Sequence, residues 1–175
     1  SRVLRWGRPG WHGRPGGTIG CYVRSHRPDG LLCVADPGGS VFGEYPRTRY
    51  ASLTSAGSCI EGIGRPRVEA SFIRTVMDRM IEVPDADSLA AMQALSRLLG
   101  RKVGPSTGTN FIGCLKLGHE MLARGEQGSI LSLLCDSGER YLPTYYDAQW
   151  VQSKVGDCAA AHQQMAQLMK PALAG

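Results

Sequence analysis

The sequence lacks any hydrophobic run long enough to cross a membrane, since a spanning helix needs about 20 apolar residues. This absence predicts a cytoplasmic protein with no membrane partner. Hydrophobic residues make up 42% of the 175 positions and charged residues 20%, which is typical of a globular protein and excludes a disordered chain. The length fits one domain with a core of its own.

Acidic residues are missing from positions 1–28, which hold six arginines. The formal net charge is +5, so the rest of the chain is close to neutral. A basic arm can bind phosphate backbones, but no nucleic-acid-binding motif accompanies it, so we expect no nucleic-acid partner. In residues 1–15, Arg, Gly, Pro and Trp follow no helix or strand periodicity. This predicts an aberrant or disordered basic arm.

The six cysteines include no C-x-x-C pair, and the four histidines show no metal-ligand spacing. Cys114 and Cys135 lie inside apolar runs. The pattern favours buried free thiols in a reducing cytosol over disulfides, and it predicts no metal site.

Short apolar runs alternate with segments of helical periodicity. Runs at 31–35 and 130–135 predict buried strands, and 80–83 predicts an edge strand ended by Pro84. Apolar stripes predict one helix up to Gly100 and another that begins just after Ser106. Residues 148–173 predict a helical tail. This alternation is typical of an α/β fold with parallel strands.

Four glycine-bearing loops are candidates for ligand binding: 16–18, 61–64, 104–108 and 136–141. The first and third open helices, where free N–H groups favour polar or anionic ligands. The fourth follows a predicted strand, where open α/β sheets bind ligands. The alternatives are a simple helix start at 16–18, a surface loop at 61–64 and a Ser- or Thr-capped turn at 104–108.

In this order and at about this spacing, the loops resemble the C-terminal part of the cysteine synthase family. These are pyridoxal-phosphate enzymes of the tryptophan synthase β-like fold, fold type II. The string at 60–69 is most similar to the bacterial L-cysteine desulfhydrase branch. The resemblance covers 16–153, leaving 154–175 as a helical tail. It implies parallel strands with flanking helices, an amino-acid substrate and a homodimeric parent enzyme.

The resemblance also implies roles for individual residues. Gly16, Gly17 and Thr18 would hold the cofactor phosphate, and Ser106 would hydrogen-bond the pyridine nitrogen. Gly62, Ile63 and Gly64 would form the mobile loop on the substrate side. A neutral hydroxyl cannot stabilise a pyridinium as a carboxylate would, so the ring is a weaker electron sink. β-Elimination from cysteine and β-replacement forming cysteine both fit that chemistry.

Two departures from the family matter. The family's Schiff-base lysine lies in an N-terminal part, and none of Lys102, Lys116, Lys154 and Lys170 stands in a matching motif. Arg14 and Pro15 replace a Gly-Thr pair before the phosphate loop, and Pro15 removes a donor. We therefore expect a fragment that is inactive alone. The alternative is a non-catalytic complementing or regulatory subunit that docks on an intact family member.

Overall fold

The structure is a computed structural model, and it describes residues 3–9, 14–27, 29–40, 57–64 and 73–173. Strands and helices alternate along the chain. The strands are β1 (Val3–Pro9), β2 (Leu31–Pro37), β3 (Arg79–Val83) and β4 (Gly128–Ser132). The helices are α1 (Arg14–His26), α2 (Asp85–Leu99), α3 (Pro105–Ala123), α4 (Ala148–Lys154) and α5 (Ala159–Leu173). Single 3-10 turns occur at Arg74–Val76 and Gly138–Tyr141.

The four strands form one sheet in the order β3-β2-β1-β4, and every pair is parallel. Trp6 is in register with Leu32 on one side and with Leu131 on the other. Because all strands run the same way, their carboxyl ends share one edge of the sheet. The predicted parallel α/β architecture is confirmed, and β3 is an edge strand as the sequence indicated.

The sheet is covered on both faces, as parallel sheets usually are. Cys33 and Ala35 of β2 belong to the larger core cluster, with side chains from α2, α3 and α5. Leu32 and Val34 point to the other face, where Ile19 of α1 packs nearby. The alternating side chains of β2 therefore contribute to two apolar layers, one on each face of the sheet. All four of these β2 side chains are almost fully buried.

Helices α2 and α3 pack closely near their N-terminal ends. A Cβ at Gly108 would lie against the carbonyl oxygen of Ser88 and 2.7 Å from the backbone nitrogen of Met92. One residue later, the Thr109 hydroxyl donates to that of Ser88 at 2.8 Å. Because glycine has no Cβ, the two backbones approach until Thr109 can reach its partner. The start of α3 is therefore fixed against α2.

The helix boundaries agree with the sequence pattern, with one refinement. Gly100 ends α2 in the left-handed conformation at φ 64°, as its predicted role requires. The N-cap of α3 is Gly104, which provides no side-chain cap, and Pro105 follows it. The turn is therefore not capped by Ser or Thr. Ser106 lies inside the first turn with its side chain free for another purpose.

Two expectations about strands were wrong. Residues 1–15 were expected to contain no helix or strand, yet Val3–Pro9 form a central strand and α1 begins at Arg14. Backbone pairing on both sides creates this strand, so it needs no side-chain alternation. The 130–135 run was expected to be a buried strand, but β4 ends at Ser132 and lies at an edge. Apolar runs cannot distinguish central from edge strands.

The cysteines also differ from expectation in part. All six are free thiols, but only Cys33 and Cys158 are buried, while Cys135 is exposed because β4 ends before it. Within the described residues no group of metal-binding side chains occurs. In that same part of the chain, every helix is too short or too polar to pass through a bilayer.

Two glycines of α3 provide a test of its packing. We expect Gly108→Ala to lower the free energy of unfolding by about 1–3 kcal/mol, because the new methyl group meets the backbone of α2. Gly118→Ala should raise it by about 0.5–1 kcal/mol, since only Ile130 lies near and helix propensity improves. Urea unfolding of both variants measures the difference. Equal effects of the two substitutions would contradict the close approach of the helices.

Candidate functional site

The loops at 104–108 and 136–141 lie against each other at the carboxyl edge of the sheet. The Gly104 N–H donates to the carbonyl of Asp136 at 3.0 Å, and the Gly138 N–H donates to the carbonyl of Lys102 at 3.1 Å. A Cβ at Gly104 would meet the Asp136 carboxylate and the Tyr141 ring. Both loops therefore depend on glycine to come this close.

The first turns of α3 also hold the chain that continues beyond β4. The Cys135 N–H donates to the Thr107 hydroxyl at 3.0 Å, and the Asn110 amide donates to the carbonyl of Leu133 at 3.2 Å. Thr107 and Asn110 are almost completely buried. These two side chains replace the backbone pairing that β4 loses after Ser132.

The loop at 61–64 is attached by Tyr145, whose hydroxyl donates to the Cys59 carbonyl at 2.7 Å and accepts from the Glu61 N–H at 2.9 Å. Arg140 adds a contact to Glu61 at 2.8 Å. Gly62 and Gly64 have φ of 84° and 70°, which side chains with a Cβ rarely adopt. Three of the four predicted ligand loops are thus brought together by named contacts.

The polar groups in this cluster are held in their neutral forms. Burial, with the nearby Asp85 carboxylate, raises the pKa of Cys59 to about 12, and burial raises the pKa of Tyr145 to about 12. Burial also raises the pKa of Tyr141, whose hydroxyl donates to Asp136 at 2.6 Å. These groups therefore act near neutral pH as hydrogen-bonding partners, not as bases or thiolate nucleophiles.

Ser106 keeps a free hydroxyl at the start of α3. Only 6% of the residue is exposed, and its hydroxyl makes no hydrogen bond with any other described residue. Thr107 and Thr109 bond protein groups through their hydroxyls, whereas Asn110 does so through its amide N–H and leaves its Oδ1 atom buried without a partner. The Ser106 oxygen is reached by solvent, so its hydroxyl can bond a water molecule or a ligand. A ring nitrogen that accepts one hydrogen bond fits this position.

Residues 16–18 lie at the same edge of the sheet, because α1 follows the carboxyl end of β1. Helix α1 begins at Arg14, five positions after β1 ends at Pro9. The first four N–H groups of a helix have no partner within it, so Gly16 and Gly17 offer donors while Pro15 offers none. An anion is favoured at such a helix start. The proline therefore weakens the predicted cradle without abolishing it.

Several residues that build the site were missed at the sequence level. Tyr145, Asp85 and Asn110 carry its long-range contacts, yet none lies in a glycine loop. The Asp85 carboxylate accepts from the Ser58 hydroxyl at 2.6 Å and from the Cys59 N–H at 2.8 Å. No local signal identifies such residues, because their partners are distant in the sequence.

No family model matches the chain. Known proteins are nevertheless similar to it in sequence over most of its length. An L-cysteine desulfhydrase of Mycobacterium tuberculosis (strain ATCC 25177 / H37Ra) is 51% identical over 138 residues, which is 78% of this chain and 38% of that protein. Cysteine synthase 2 of Emericella nidulans is 32% identical over 75% of this chain and 33% of its own length. The chain thus spans well under half of these relatives.

A solved structure matches the fold. The O-acetylserine-dependent cystathionine β-synthase from Helicobacter pylori superimposes with a TM-score of 0.67, covering 82% of this chain and 43% of that one. Their sequences are 22% identical, so this similarity concerns the architecture alone.

Tyr145 allows a test of how the 61–64 loop is held. Tyr145→Phe removes one hydroxyl and leaves the Cys59 carbonyl and the Glu61 N–H without that partner. We expect the free energy of unfolding to fall by about 1–3 kcal/mol. Tyr22→Phe is the matched control, because Tyr22 is 59% exposed and should change stability by less than about 0.5 kcal/mol. Thermal unfolding of both variants measures this, and equal stability would show that Tyr145 does not anchor the loop.

Proposed function

We propose that this chain, which corresponds to part of a fold type II pyridoxal-phosphate enzyme of the cysteine synthase family, provides the Ser106 side of that cofactor's site. The reaction we assign to the parent enzyme is β-elimination or β-replacement on cysteine-type amino acids. Cysteine desulfhydrase and cysteine synthase are the corresponding activities.

The hydroxyl of the largely buried Ser106, which bonds no other described residue, is the single observation that supports this proposal most. Its hydrogen would be donated to the pyridine nitrogen, which keeps that nitrogen unprotonated. A bound pyridoxal phosphate supplies the electron-withdrawing ring that makes an amino acid's α-proton removable. Ser106, as a neutral donor, orients the ring without adding charge to it. This fits loss of a β-substituent better than chemistry that needs a long-lived carbanion.

The phosphate would lie at the start of α1. Gly16 and Gly17 contribute backbone N–H groups there, and the positive end of the helix dipole favours the anion. Thr18, the next residue, belongs to the same predicted loop.

The substrate side would be formed by 62–64. The left-handed glycines let the backbone approach a ligand without a Cβ in between. Arg140 and Tyr145 attach the preceding residue, Glu61, to the neighbouring loop. Movement of the loop would therefore require these contacts to break.

The contacts and positions of the lysines support the proposal that this chain has no activity by itself. Lys102 lies 5.7 Å from the centre of the Tyr146 ring, and Lys116 faces Asp87 at 3.8 Å. Both are thus engaged by protein groups, and Lys154 and Lys170 belong to α4 and α5. We therefore assign the proton transfer at the α-carbon of the substrate to none of these lysines.

A second candidate role is a non-catalytic subunit that docks on an intact family member. The open edge at β4 favours it, because Leu131 is 43% and Leu134 49% exposed beside unpaired backbone. Co-purification of the tagged chain with a full-length family member would support this role. An absence of any complex would exclude it.

Cofactor titration of the chain tests the first proposal. We expect pyridoxal phosphate to shift the backbone amide NMR signals of Gly17 and Thr107 in a saturable way. Ser106→Ala should weaken binding by about tenfold, since one buried hydrogen bond is lost. Ser25→Ala, which removes an exposed helix serine, is the control and should bind as the parent chain does.

Borohydride treatment of the mixture, followed by mass spectrometry, tests the lysine assignment separately. We expect no lysine adduct and no sulfide release from L-cysteine. Equal binding by Ser106→Ala and Ser25→Ala would overturn the Ser106 site. A trapped adduct or sulfide release would instead overturn inactivity of the chain alone.

A further inference from the structure

A groove of about 500 Å³ lies where α2 ends and the chain turns toward α3. Its walls carry three cations, Arg97, Arg101 and Lys102, and a single acid, Glu139. The helix ends at Gly100 in the left-handed conformation, between Arg97 in its last turn and Arg101 and Lys102 just beyond it. The groove therefore has a positive charge that no part of the proposed cofactor site uses.

The three cations are not neutralised by the protein. Within the residues that the structure describes, Arg97 and Arg101 make no ion pair or side-chain hydrogen bond. The side chain of Lys102 contacts only the Tyr146 ring among the described residues. All three cationic side chains are exposed. By contrast, Arg24, Arg79, Arg124 and Arg140 each face a carboxylate within 4 Å. Three cations without an ion pair among the described residues thus line this one groove.

The two hydroxyl groups in the floor of the groove, those of Tyr146 and Ser96, are already engaged by the protein. The Tyr146 hydroxyl donates to the Val103 carbonyl at 2.8 Å, and the Ser96 hydroxyl donates to the Met92 carbonyl at 2.8 Å. The Val103 N–H is shared between these two oxygens, at 3.1 and 3.2 Å. The groups left to donate to a ligand are therefore the cations of the walls and the amide of Gln93.

We propose that this groove is a binding site for a small polyanion with at least two oxyanion groups. Two guanidinium groups can each bind an oxyanion in bidentate fashion, and the lysine adds a point charge. A single halide or monocarboxylate could engage only part of the wall. Glu139 repels the ligand from one side, which favours compact anions that bind at the arginines.

The floor also connects the groove to the start of α3. Tyr146 holds both backbone groups of Val103, and Gly104 follows as the N-cap of the helix that carries Ser106. The Lys102 carbonyl accepts from Gly138 in the opposite loop. A bound anion that draws Lys102 toward it should therefore alter the amide environments of Val103 and Gly104. This effect does not require the cofactor.

NMR titration of the full chain with citrate and with pyrophosphate, at low salt, tests the site. We expect saturable shifts at the amides of Arg101, Val103 and Gly104, with chloride at equal ionic strength giving none. Arg97→Gln and Arg101→Gln should each weaken binding by about tenfold. Arg27→Gln removes an equal, exposed and unpaired charge at the end of α1 and should change binding by less than about twofold.

The tighter of the two probes identifies the carboxylate or phosphate class of ligand. Equal losses in the Arg27 and Arg101 variants would overturn the site, because binding would then follow total charge. Absence of saturation with both probes would also overturn it. In that case the cations only complement the negative end of α2, and Arg97→Gln should lower the melting temperature without any dependence on anions.

Discussion

The close approach of α2 and α3 at Gly108 is the constraint on which the rest of the site depends. Because no side chain separates the two backbones there, Thr109 reaches Ser88. This contact fixes the first turn of α3 relative to α2. That turn carries Ser106 and also holds the chain after β4 through Thr107. Without this packing, the loops at 104–108 and 136–141 would have no common support.

Three titratable groups of the resulting site stay neutral. Elevated pKa values keep Cys59, Tyr141 and Tyr145 protonated near neutral pH, so their role is to fix loops by hydrogen bonds. Ser106 is the neutral group among them that remains available. These groups can form hydrogen bonds but do not act as bases near neutral pH. The chain spans well under half of the length of its relatives.

Local sequence signals predicted much of this, and their limits have physical causes. Gly100 and the apolar stripes identified the helices, and glycine loops near strand ends identified three of the loops that meet. The central strand at 3–9 could not be predicted, because it is stabilised by backbone pairing with two distant strands. Tyr145 and Asp85 were missed for a similar reason. Each acts on residues far away in the sequence, where periodicity carries no information.

We propose that the Ser106 hydroxyl is kept unpaired for the ring nitrogen of pyridoxal phosphate. A crystal structure of the chain soaked with that cofactor tests this most directly. The account predicts the ring nitrogen within hydrogen-bonding distance of the Ser106 Oγ atom, with the phosphate at the N–H groups of Gly16 and Gly17. A cofactor bound elsewhere, or a Ser106 hydroxyl bonded to a protein group, would contradict it.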